Sequence, residues 1–183
     1  LVETRLGFPV VVKTLYGSQG SGVFLCESKK QLTDLIQLVE VTKGSANIIL
    51  QEFVKTSRGR DLRVFTIGGR AVACIERNAP EGEFKANYSQ GGTVKPYGIT
   101  PEIEWLAVET SRIFNLDIAG IDLLFDGEHY LVCEANSAPG FETIEECLDL
   151  NVPKEMFHFI RIRLGLFQNT SLKKRQSPEL EAH

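Results

Sequence analysis

Short apolar runs rich in β-branched residues alternate with polar turns along most of the chain. These runs predict β-strands at residues 8–13, 23–26, 47–53, 61–67 and 71–77. Apolar residues at helical spacing predict helices at residues 29–41, from 101 onward, at 141–150 and at 153–164. Hairpins mixed with helices in this order predict an α+β fold with largely antiparallel sheets. The polar stretch at residues 80–97 is expected to be a long functional or mobile loop.

A predicted hairpin late in the chain carries three polar side chains on one face. Its apolar residues fall at odd positions, namely Ile121, Leu123, Phe125, Leu131, Cys133 and Ala135. Because side chains alternate between the faces of a strand, Asp122, Glu134 and Asn136 share the opposite face. In an antiparallel pair this requires an odd-length turn. Residues 126–128 would supply a three-residue turn with Gly127 in the left-handed region.

Carboxylate and amide oxygens are ligands that magnesium accepts, and protein-bound magnesium usually keeps positions for substrate phosphates. The hairpin therefore predicts a magnesium site made by Asp122, Glu134 and Asn136, and with it phosphate chemistry. One alternative is a hairpin with a solvated polar face, which is common in antiparallel sheets. Asp122 and Glu134 could also be a glycosidase pair, but the adjoining Asn136 favours metal binding.

Composition narrows the function classes. The 183 residues suffice for one domain or two small lobes, and 43% apolar with 24% charged residues is typical of a soluble globular protein. A net charge of −4 gives no basic field for nucleic-acid binding.

No apolar stretch approaches the ~18 residues of a membrane span, so the cytoplasm is the expected location. The chain opens without Met and runs almost directly into a strand, so we expect a fragment.

The four cysteines lack the close pairing of zinc sites and do not require an oxidising compartment. Cys26, Cys74 and Cys133 lie in apolar strand-like runs and are expected to be small core residues. The three histidines have no evident Ser or Cys partner, so a nucleophilic triad is not expected.

A glycine-rich segment at residues 17–22 follows the first predicted strand. It lacks the Lys-Ser/Thr end of a Walker P-loop and precedes a strand, so it does not fit a dinucleotide-binding motif either. Glycines nevertheless let backbone N–H groups approach phosphate oxygens, and Lys13 could add a positive charge. The alternative is an ordinary glycine hairpin with a surface lysine.

Other polar positions could line a nucleotide site. Residues 51–54 could offer backbone groups to an adenine edge and Asp61 could accept bonds from ribose hydroxyls, although a strand end and a turn explain them equally well. The cationic and amide candidates are Arg63, Arg77, Lys85 and Asn87. A guanidinium matches phosphate or carboxylate oxygens with two donors, whereas surface ion pairing is the commoner fate of an arginine.

Taken in order, these motifs resemble the ATP-grasp superfamily and, within it, the ribosomal-protein glutamate ligase (RimK-like) family of carboxylate–amine ligases. The similar segments are Phe-Pro-Val-Val-Val-Lys (8–13), Gly-Ser-Gln-Gly-Ser-Gly-Val (17–23), Gln-Glu-Phe-Val-Lys (51–55), Gly-Arg-Asp-Leu-Arg-Val (59–64), Ile-Glu-Arg (75–77), Gly-Gly (91–92), Ala-Gly-Ile-Asp (119–122) and Glu-Ala-Asn-Ser-Ala-Pro-Gly (134–140). They cover roughly residues 5 to 165. No single motif is diagnostic, but the ordered set is quite specific.

The resemblance implies an ATP site and two magnesium or manganese ions held by Asp122, Glu134 and Asn136. Arg77 would steady the transferred phosphoryl group and the acyl-phosphate. The implied nucleotide-binding residues are Lys13, Gly20, Gly22, Gln51, Glu52, Phe53, Val54, Asp61, Arg63, Lys85 and Asn87. Of these, residues 52–54 would form the adenine hinge.

The resemblance also implies an ATP-grasp fold with lobes at residues 1–53 and 54–165, followed by a disordered tail at 166–183. The implied activity joins an amino acid such as glutamate to a protein or small-molecule carboxylate through an acyl-phosphate. A nucleotide-binding module without turnover and a kinase remain alternatives. Relatives form oligomers, so a homo-oligomer is one implied arrangement. Asn78 and Gln90 stand where relatives that modify a ribosomal protein often have arginine, which leaves the substrate open.

Overall fold

Two antiparallel sheets with flanking helices make up the fold. The computed structural model describes residues 2–15, 22–43, 47–86 and 91–166. A three-stranded sheet has the order β2-β1-β3 and a five-stranded sheet the order β6-β5-β4-β7-β8. Every neighbouring pair of strands in them is antiparallel, which confirms the predicted α+β class with largely antiparallel sheets.

The first sheet is built from β1 (Val10–Thr14), β2 (Val23–Cys26) and β3 (Ile48–Glu52). Helix α1 (Val2–Arg5) precedes it, and α2 (Lys29–Lys43) joins its second and third strands. Alternation along β1 sends Val10 and Val12 into a core with Leu32 of α2. The opposite face of β1, which carries Val11 and Lys13, is thereby left to face the second sheet.

The second sheet contains β4 (Arg60–Ile67), β5 (Arg70–Asn78), β6 (Thr93–Pro96), β7 (Ile118–Asp126) and β8 (His129–Asn136). A 3-10 helix (Lys55–Ser57) leads into it. Helix α3 (Pro101–Ile113) packs on one face, and α4 (Glu142–Leu148) and α5 (Val152–Arg163) pack on the other. The central strands β4 and β7 are therefore covered by core on parts of both faces.

Helix ends follow local sequence signals. Thr100 caps α3 by accepting a bond from the Ile103 N–H at 3.3 Å, and Pro101 occupies the first turn. Asn151 caps α5 in the same way through the Lys154 N–H at 2.8 Å. Both caps satisfy otherwise unpaired donors, and α3 begins at the predicted residue 101, whereas α5 begins one residue before the predicted 153.

The stretch at residues 80–97 is not one continuous loop, and that prediction is wrong. Residues Thr93–Pro96 form β6, which pairs with the end of β5. The strand is short, carries few apolar residues and ends in a proline, so it gives little pattern to recognise. Its edge position explains why Pro96 is tolerated, since edge strands need fewer ladder donors.

The β7–β8 hairpin places Asp122 and Glu134 on one face, as predicted, but not through the predicted turn. Asp126 pairs with His129, so the turn has two residues, with Gly127 at φ +63°. The odd residue is instead a bulge at Cys133: Asp122 lies opposite Glu134, whereas Leu123 lies opposite Val132. The bulge places Asp122 and Glu134 on the same face of the hairpin, which the three-residue turn was expected to do.

The bulge also overturns two burial predictions in β8. Leu131 is exposed rather than buried, and Cys133 is a half-buried residue of the cleft described below rather than a core residue. Cys26 and Cys74 are buried, as predicted, and all four cysteines are free thiols. Within residues 2–166, apart from the short gaps stated above, no helix is long and apolar enough to cross a membrane.

The second sheet's core gives a first prediction. Phe65 is 0% exposed and makes an edge-to-face contact with Phe141, with ring centroids 6.4 Å apart. We expect Phe65→Ala to lower the free energy of unfolding by about 3–5 kcal/mol, because it removes a buried ring and leaves a cavity. Phe157→Ala is the matched control; Phe157 is 66% exposed, so the cost should stay within roughly 0.5 kcal/mol. Urea denaturation of both variants measures the difference, and equal losses would contradict this account of the core.

Candidate functional site

A cleft of about 240 Å³ lies between the two sheets. Most of the predicted site residues line it: Lys13, Gln51, Glu52, Phe53, Val54, Asp61, Arg63, Arg77, Lys85, Asp122, Glu134 and Asn136. Gly20 and Asn87 lie outside the described residues, as does the rest of the glycine-rich segment up to Ser21. Gly22 is described, at φ +80°, but does not line the cleft. The structure thus brings together residues that are up to about 120 positions apart in sequence.

Charged side chains form rows across the second sheet. Asp61 of β4 lies opposite Arg77 of β5. In the next row, Arg63 lies opposite Asp122 of β7, which in turn lies opposite Glu134 of β8. Directly opposed residues of antiparallel strands share a face, so these five side chains all reach the cleft.

Four of these residues form a buried ion-pair chain. Arg63 donates two bonds to Asp122, one from Nε to Oδ1 and one from an Nη atom to Oδ2, the latter at 2.8 Å. Arg77 makes a similar fork on Asp61, at 2.7 and 2.8 Å, and also reaches Asp122 Oδ2 at 3.0 Å. The two arginines are therefore not surface residues, which was the alternative interpretation of the sequence.

Burial and charge act in opposite directions on this chain. Desolvation raises the pKa of Asp61 to about 6, since it outweighs the attraction of Arg77. Desolvation also acts on Asp122, but Arg77 and Arg63 together hold the pKa of that carboxyl below its ordinary value. The pKa of Arg77 is raised despite burial, because both carboxylates stabilise its cationic form. Asp122 is thus the firmly ionised carboxylate of the group.

Gly120 allows Arg63 to approach Asp122 along the sheet. A Cβ atom at position 120 would lie 2.8 Å from the Cβ of Pro139 and 3.2 Å from the Cδ of Arg63. The first distance is shorter than real Cβ contacts, so a larger residue would displace either the Arg63 side chain or the segment after β8. Close packing against Pro139 and Arg63 therefore explains why a glycine lies two residues before Asp122.

Two lysines reach across the cleft, one from β1 and one from the segment between β5 and β6. Lys13 of β1 donates to the Cys133 thiol at 3.4 Å, and Lys85 donates to the backbone oxygen of Val23 at 3.1 Å. Burial raises the pKa of Cys133, although Lys13 partly opposes that effect. Both ammonium groups are consequently held where a polyanionic ligand between the sheets would meet them.

The segment from Gln51 to Val54 lies at one side of the cleft. It leaves β3 in an extended conformation, with Val54 at φ −79° and ψ 100°. In the described part of the chain, β3 is an edge strand, so no neighbouring strand uses its outer backbone groups. Phe53 meets Phe84 edge to face at 6.5 Å between ring centroids. An extended edge beside two aromatic rings suits a flat heterocycle.

The candidate metal ligands form a set of oxygen donors. Asp122, Glu134 and Asn136 supply carboxylate and amide oxygens, and the Asn136 amide nitrogen donates to the Gly120 oxygen at 3.2 Å. The amide oxygen is therefore the atom of Asn136 left for a cation. Among the residues that the structure describes, no group of three or more His, Cys, Asp or Glu side chains could hold a metal ion. Two carboxylates and one amide thus fit a hard cation such as magnesium or manganese better than zinc.

The sequence did not identify several lining residues. Val11 lies on the Lys13 face of β1, and simple alternation could have found it. Cys133 faces the cleft because of the bulge, for which the sequence carries no signal. The other residues that were not predicted are Val23, Ser57, Arg60, Phe84, Ala86 and Leu124. Most of them have apolar side chains and form part of the cleft wall.

Relatives of known description share much of this sequence. A probable alpha-L-glutamate ligase of Hydrogenovibrio crunogenus is 42% identical over 160 residues, which are 87% of this chain and 52% of that protein. A protein of the same name from Trichodesmium erythraeum is 39% identical over 166 residues, covering 90% and 54%. The chain therefore spans about half the length of the curated relatives it matches.

Solved structures show the same fold at low sequence identity. The ATP-grasp ligase PsnB, complexed with a phosphomimetic variant of its minimal precursor, Mg and ADP, matches with a TM-score of 0.66 at 18% identity, over 88% of this chain and 48% of PsnB. D-alanine–D-alanine ligase from Bacillus anthracis matches with a TM-score of 0.61 at 16% identity, over 94% and 57%. The RimK-like ATP-grasp domain family matches residues 1–160 of the 183. Sequence, fold and cleft agree, and the chain belongs to the RimK-like ATP-grasp family.

Proposed function

We propose that this chain forms the nucleotide- and metal-binding part of an ATP-dependent carboxylate–amine ligase. The observation that carries the proposal is the cleft itself. It collects two lysines, three arginines and an oxygen donor set between an extended edge strand and a charged sheet. Phosphoryl transfer needs positioning and charge neutralisation more than a protein nucleophile, and this inventory matches that need.

The proposed reaction has two steps. A carboxylate oxygen of the substrate attacks the γ-phosphorus of ATP, which forms an acyl-phosphate and releases ADP. An amine nitrogen then attacks the acyl carbon, the carbon–oxygen bond to phosphate breaks, and inorganic phosphate leaves with the formation of an amide. Lys13 binds the nucleotide phosphates, and Arg77 steadies the transferred phosphoryl group and the phosphate of the acyl-phosphate. Both cations already line the cleft.

Asp122, Glu134 and Asn136 would hold the metal, in our proposal two magnesium or manganese ions. Bound there, the metal would neutralise phosphate charge and orient the transferred group. Residues 51–54 present backbone groups to the adenine edge. Asp61 is assigned to the ribose by resemblance, and in this structure it also orients the Arg77 guanidinium at 2.7 Å.

For the substrates, we propose an amino acid such as glutamate as the amine and a protein or small molecule as the carboxylate. The support is the name shared by the relatives at 42% and 39% identity, both called probable alpha-L-glutamate ligases. A second candidate is a nucleotide-binding module without turnover. The observation that bears on it is that the chain spans 52% of the first of these relatives, so turnover that needs the remaining part would not be seen with this chain alone.

Two measurements test the proposal in sequence. Calorimetric titration with a non-hydrolysable ATP analogue, with and without magnesium, should show magnesium-dependent binding. ADP release is then followed with and without glutamate and a carboxylate substrate. Release that needs both substrates supports a ligase, release without the amine indicates a kinase, and binding without release supports the non-catalytic module. Absence of any nucleotide binding would overturn the proposed function.

Lys13→Gln tests the phosphate contact. We expect the affinity for the ATP analogue to fall roughly 10- to 100-fold, since one charge-assisted contact to phosphate is removed. Lys30→Gln is the matched control, because the Lys30 side chain is 87% exposed on α2, away from the cleft residues. The control should bind with unchanged affinity in the same titration, and equal affinity in both variants would show that Lys13 does not contact the phosphates.

A further inference from the structure

The Asp122 carboxylate is already fully engaged by guanidinium donors. Its Oδ1 accepts from Arg63, and its Oδ2 accepts from both Arg63 at 2.8 Å and Arg77 at 3.0 Å. The side chain is only 9% exposed, and each of its oxygens has a guanidinium partner. A cation that binds this carboxylate therefore competes with the arginines for its oxygens.

The ion-pair chain also supplies no net negative charge to attract a lone cation to Asp122. Asp61 and Asp122 together carry two negative charges, and Arg63 and Arg77 carry two positive ones, so the ion-pair chain is neutral. A divalent ion beside Asp122 would lie next to two guanidinium groups at low exposure, where charge repulsion is poorly screened. A triphosphate changes this balance, because its oxygens offer the arginines new anionic partners.

The two arginines are not equivalent in this respect. Arg77 is shared between Asp61 and Asp122, and its fork on Asp61 can persist when it leaves Asp122. Both donors of the Arg63 fork, Nε and one Nη atom, bind Asp122. Release of Arg63 consequently frees Oδ1 of Asp122 and leaves Oδ2 with Arg77 as its only partner among these two arginines.

We propose that Arg63 masks Asp122 against free divalent cations, so that metal enters this site only together with nucleotide phosphates that draw the guanidinium away. Arg63 is in this view a positioning residue: it holds Asp122 in place before the ligand arrives and then moves to phosphate. The inference rests on the proposed nucleotide and metal site and adds the order in which that site is filled.

Metal binding, rather than turnover, tests this inference. Free Mn²⁺ is measured by its electron paramagnetic resonance signal as Mn²⁺ is titrated into the chain, alone and with adenosine 5′-(β,γ-imido)triphosphate. The wild-type chain should bind Mn²⁺ alone at least about tenfold more weakly than in the presence of the analogue, after correction for Mn²⁺ bound by free analogue. In Arg63→Gln, the affinity for Mn²⁺ alone should rise at least about tenfold, because Asp122 loses its main competing partner.

Controls separate masking from other effects. Arg70→Gln removes an arginine from the exposed start of β5 and should leave both affinities unchanged. Arg63→Gln combined with Asp122→Asn should lose the gain, which shows that the new Mn²⁺ is on Asp122. If circular dichroism shows that Arg63→Gln fails to fold, Arg63→Lys replaces it in the titration. Lysine keeps the charge without the fork, so the affinity for Mn²⁺ alone should rise by an intermediate amount.

The outcomes are distinguishable. Wild-type chain that binds Mn²⁺ alone as tightly as with the analogue overturns the masking inference but leaves the proposed function intact. An Arg63→Gln chain whose affinity for Mn²⁺ alone is unchanged also overturns the masking inference and leaves the proposed function intact. If the analogue itself fails to bind in a calorimetric titration, the proposed function fails, and the inference fails with it.

Discussion

Glu134→Gln is expected to reduce ATP-dependent phosphoryl transfer roughly 10³-fold while leaving the fold intact. Glu134 lies opposite Asp122 in the β7–β8 ladder, and its side chain is exposed to the cleft rather than buried in the core. The substitution removes one of the two carboxylate charges proposed to hold the metal. Charge stabilisation by a bound metal is worth several kcal/mol, and each 1.36 kcal/mol corresponds to about a tenfold change in rate.

The measurement is ADP release at saturating substrates, together with magnesium-dependent affinity for the ATP analogue. Glu128→Gln is the matched control, because Glu128 lies in the turn of the same hairpin and does not line the cleft. We expect wild-type rates from the control and an unchanged thermal unfolding transition from both variants. A Glu134→Gln chain with wild-type release would show that the metal is held elsewhere.

Local pattern was sufficient to predict much of the fold. Alternation in β7 gave the correct buried face, since Ile121, Leu123 and Phe125 are all core residues. Pro101 marked the first turn of α3. Such signals depend on neighbours in sequence, which is why single elements are read more reliably than the contacts between them.

The β7–β8 hairpin shows how a correct conclusion can rest on an incorrect cause. Placing Asp122 and Glu134 on one face requires one extra residue, and the sequence offered a glycine turn for it. The structure puts the extra residue at Cys133, in the middle of β8. Period-2 alternation specifies relative facing but not where a bulge interrupts it, so the role of Cys133 as the partner of Lys13 could not be predicted.

The ion-pair chain illustrates a second limit. The sequence identified Asp61, Arg63, Arg77 and Asp122 as candidates, each assigned to a ligand. The structure shows that these groups bind one another across three strands. Their mutual contacts depend on strand order, which brings β5, β4 and β7 side by side, and no local pattern contains that order. Residues of opposite charge in the cleft thus partner each other in this structure.

That mutual pairing leads to the second large expected effect. Arg77→Leu should lower the free energy of unfolding of the ligand-free chain by about 3–5 kcal/mol, because it leaves a buried carboxylate without its partner. The carboxylate concerned is Asp61, which is 16% exposed and accepts two bonds from Arg77 at 2.7 and 2.8 Å. Asp122 is less affected, since Arg63 remains. Urea denaturation at about pH 8 measures the loss.

The direction of the pH dependence follows from Asp61. Burial already raises the pKa of this carboxyl to about 6 with Arg77 in place, against 3.8 for the ordinary group, and removing the guanidinium raises it further. The folded variant therefore holds a proton on Asp61 more tightly than the unfolded chain does. Its stability should rise, relative to that of the wild type, as the pH is lowered from about 8 to about 5.

A second substitution separates the structural role of Arg77 from its proposed catalytic one. Adding Asp61→Asn to Arg77→Leu removes the unpaired charge and should restore at least about 2 kcal/mol at pH 8, since a neutral amide is less costly to bury than a carboxylate. Phosphoryl transfer should nevertheless stay at least roughly 10²-fold below wild type in the double variant, because the guanidinium proposed to steady the transferred group is still missing. A double variant that regains activity together with stability would show that Arg77 only supports the fold. A double variant that regains neither would show that the stability lost in Arg77→Leu does not come from the loss of the Arg77–Asp61 pair.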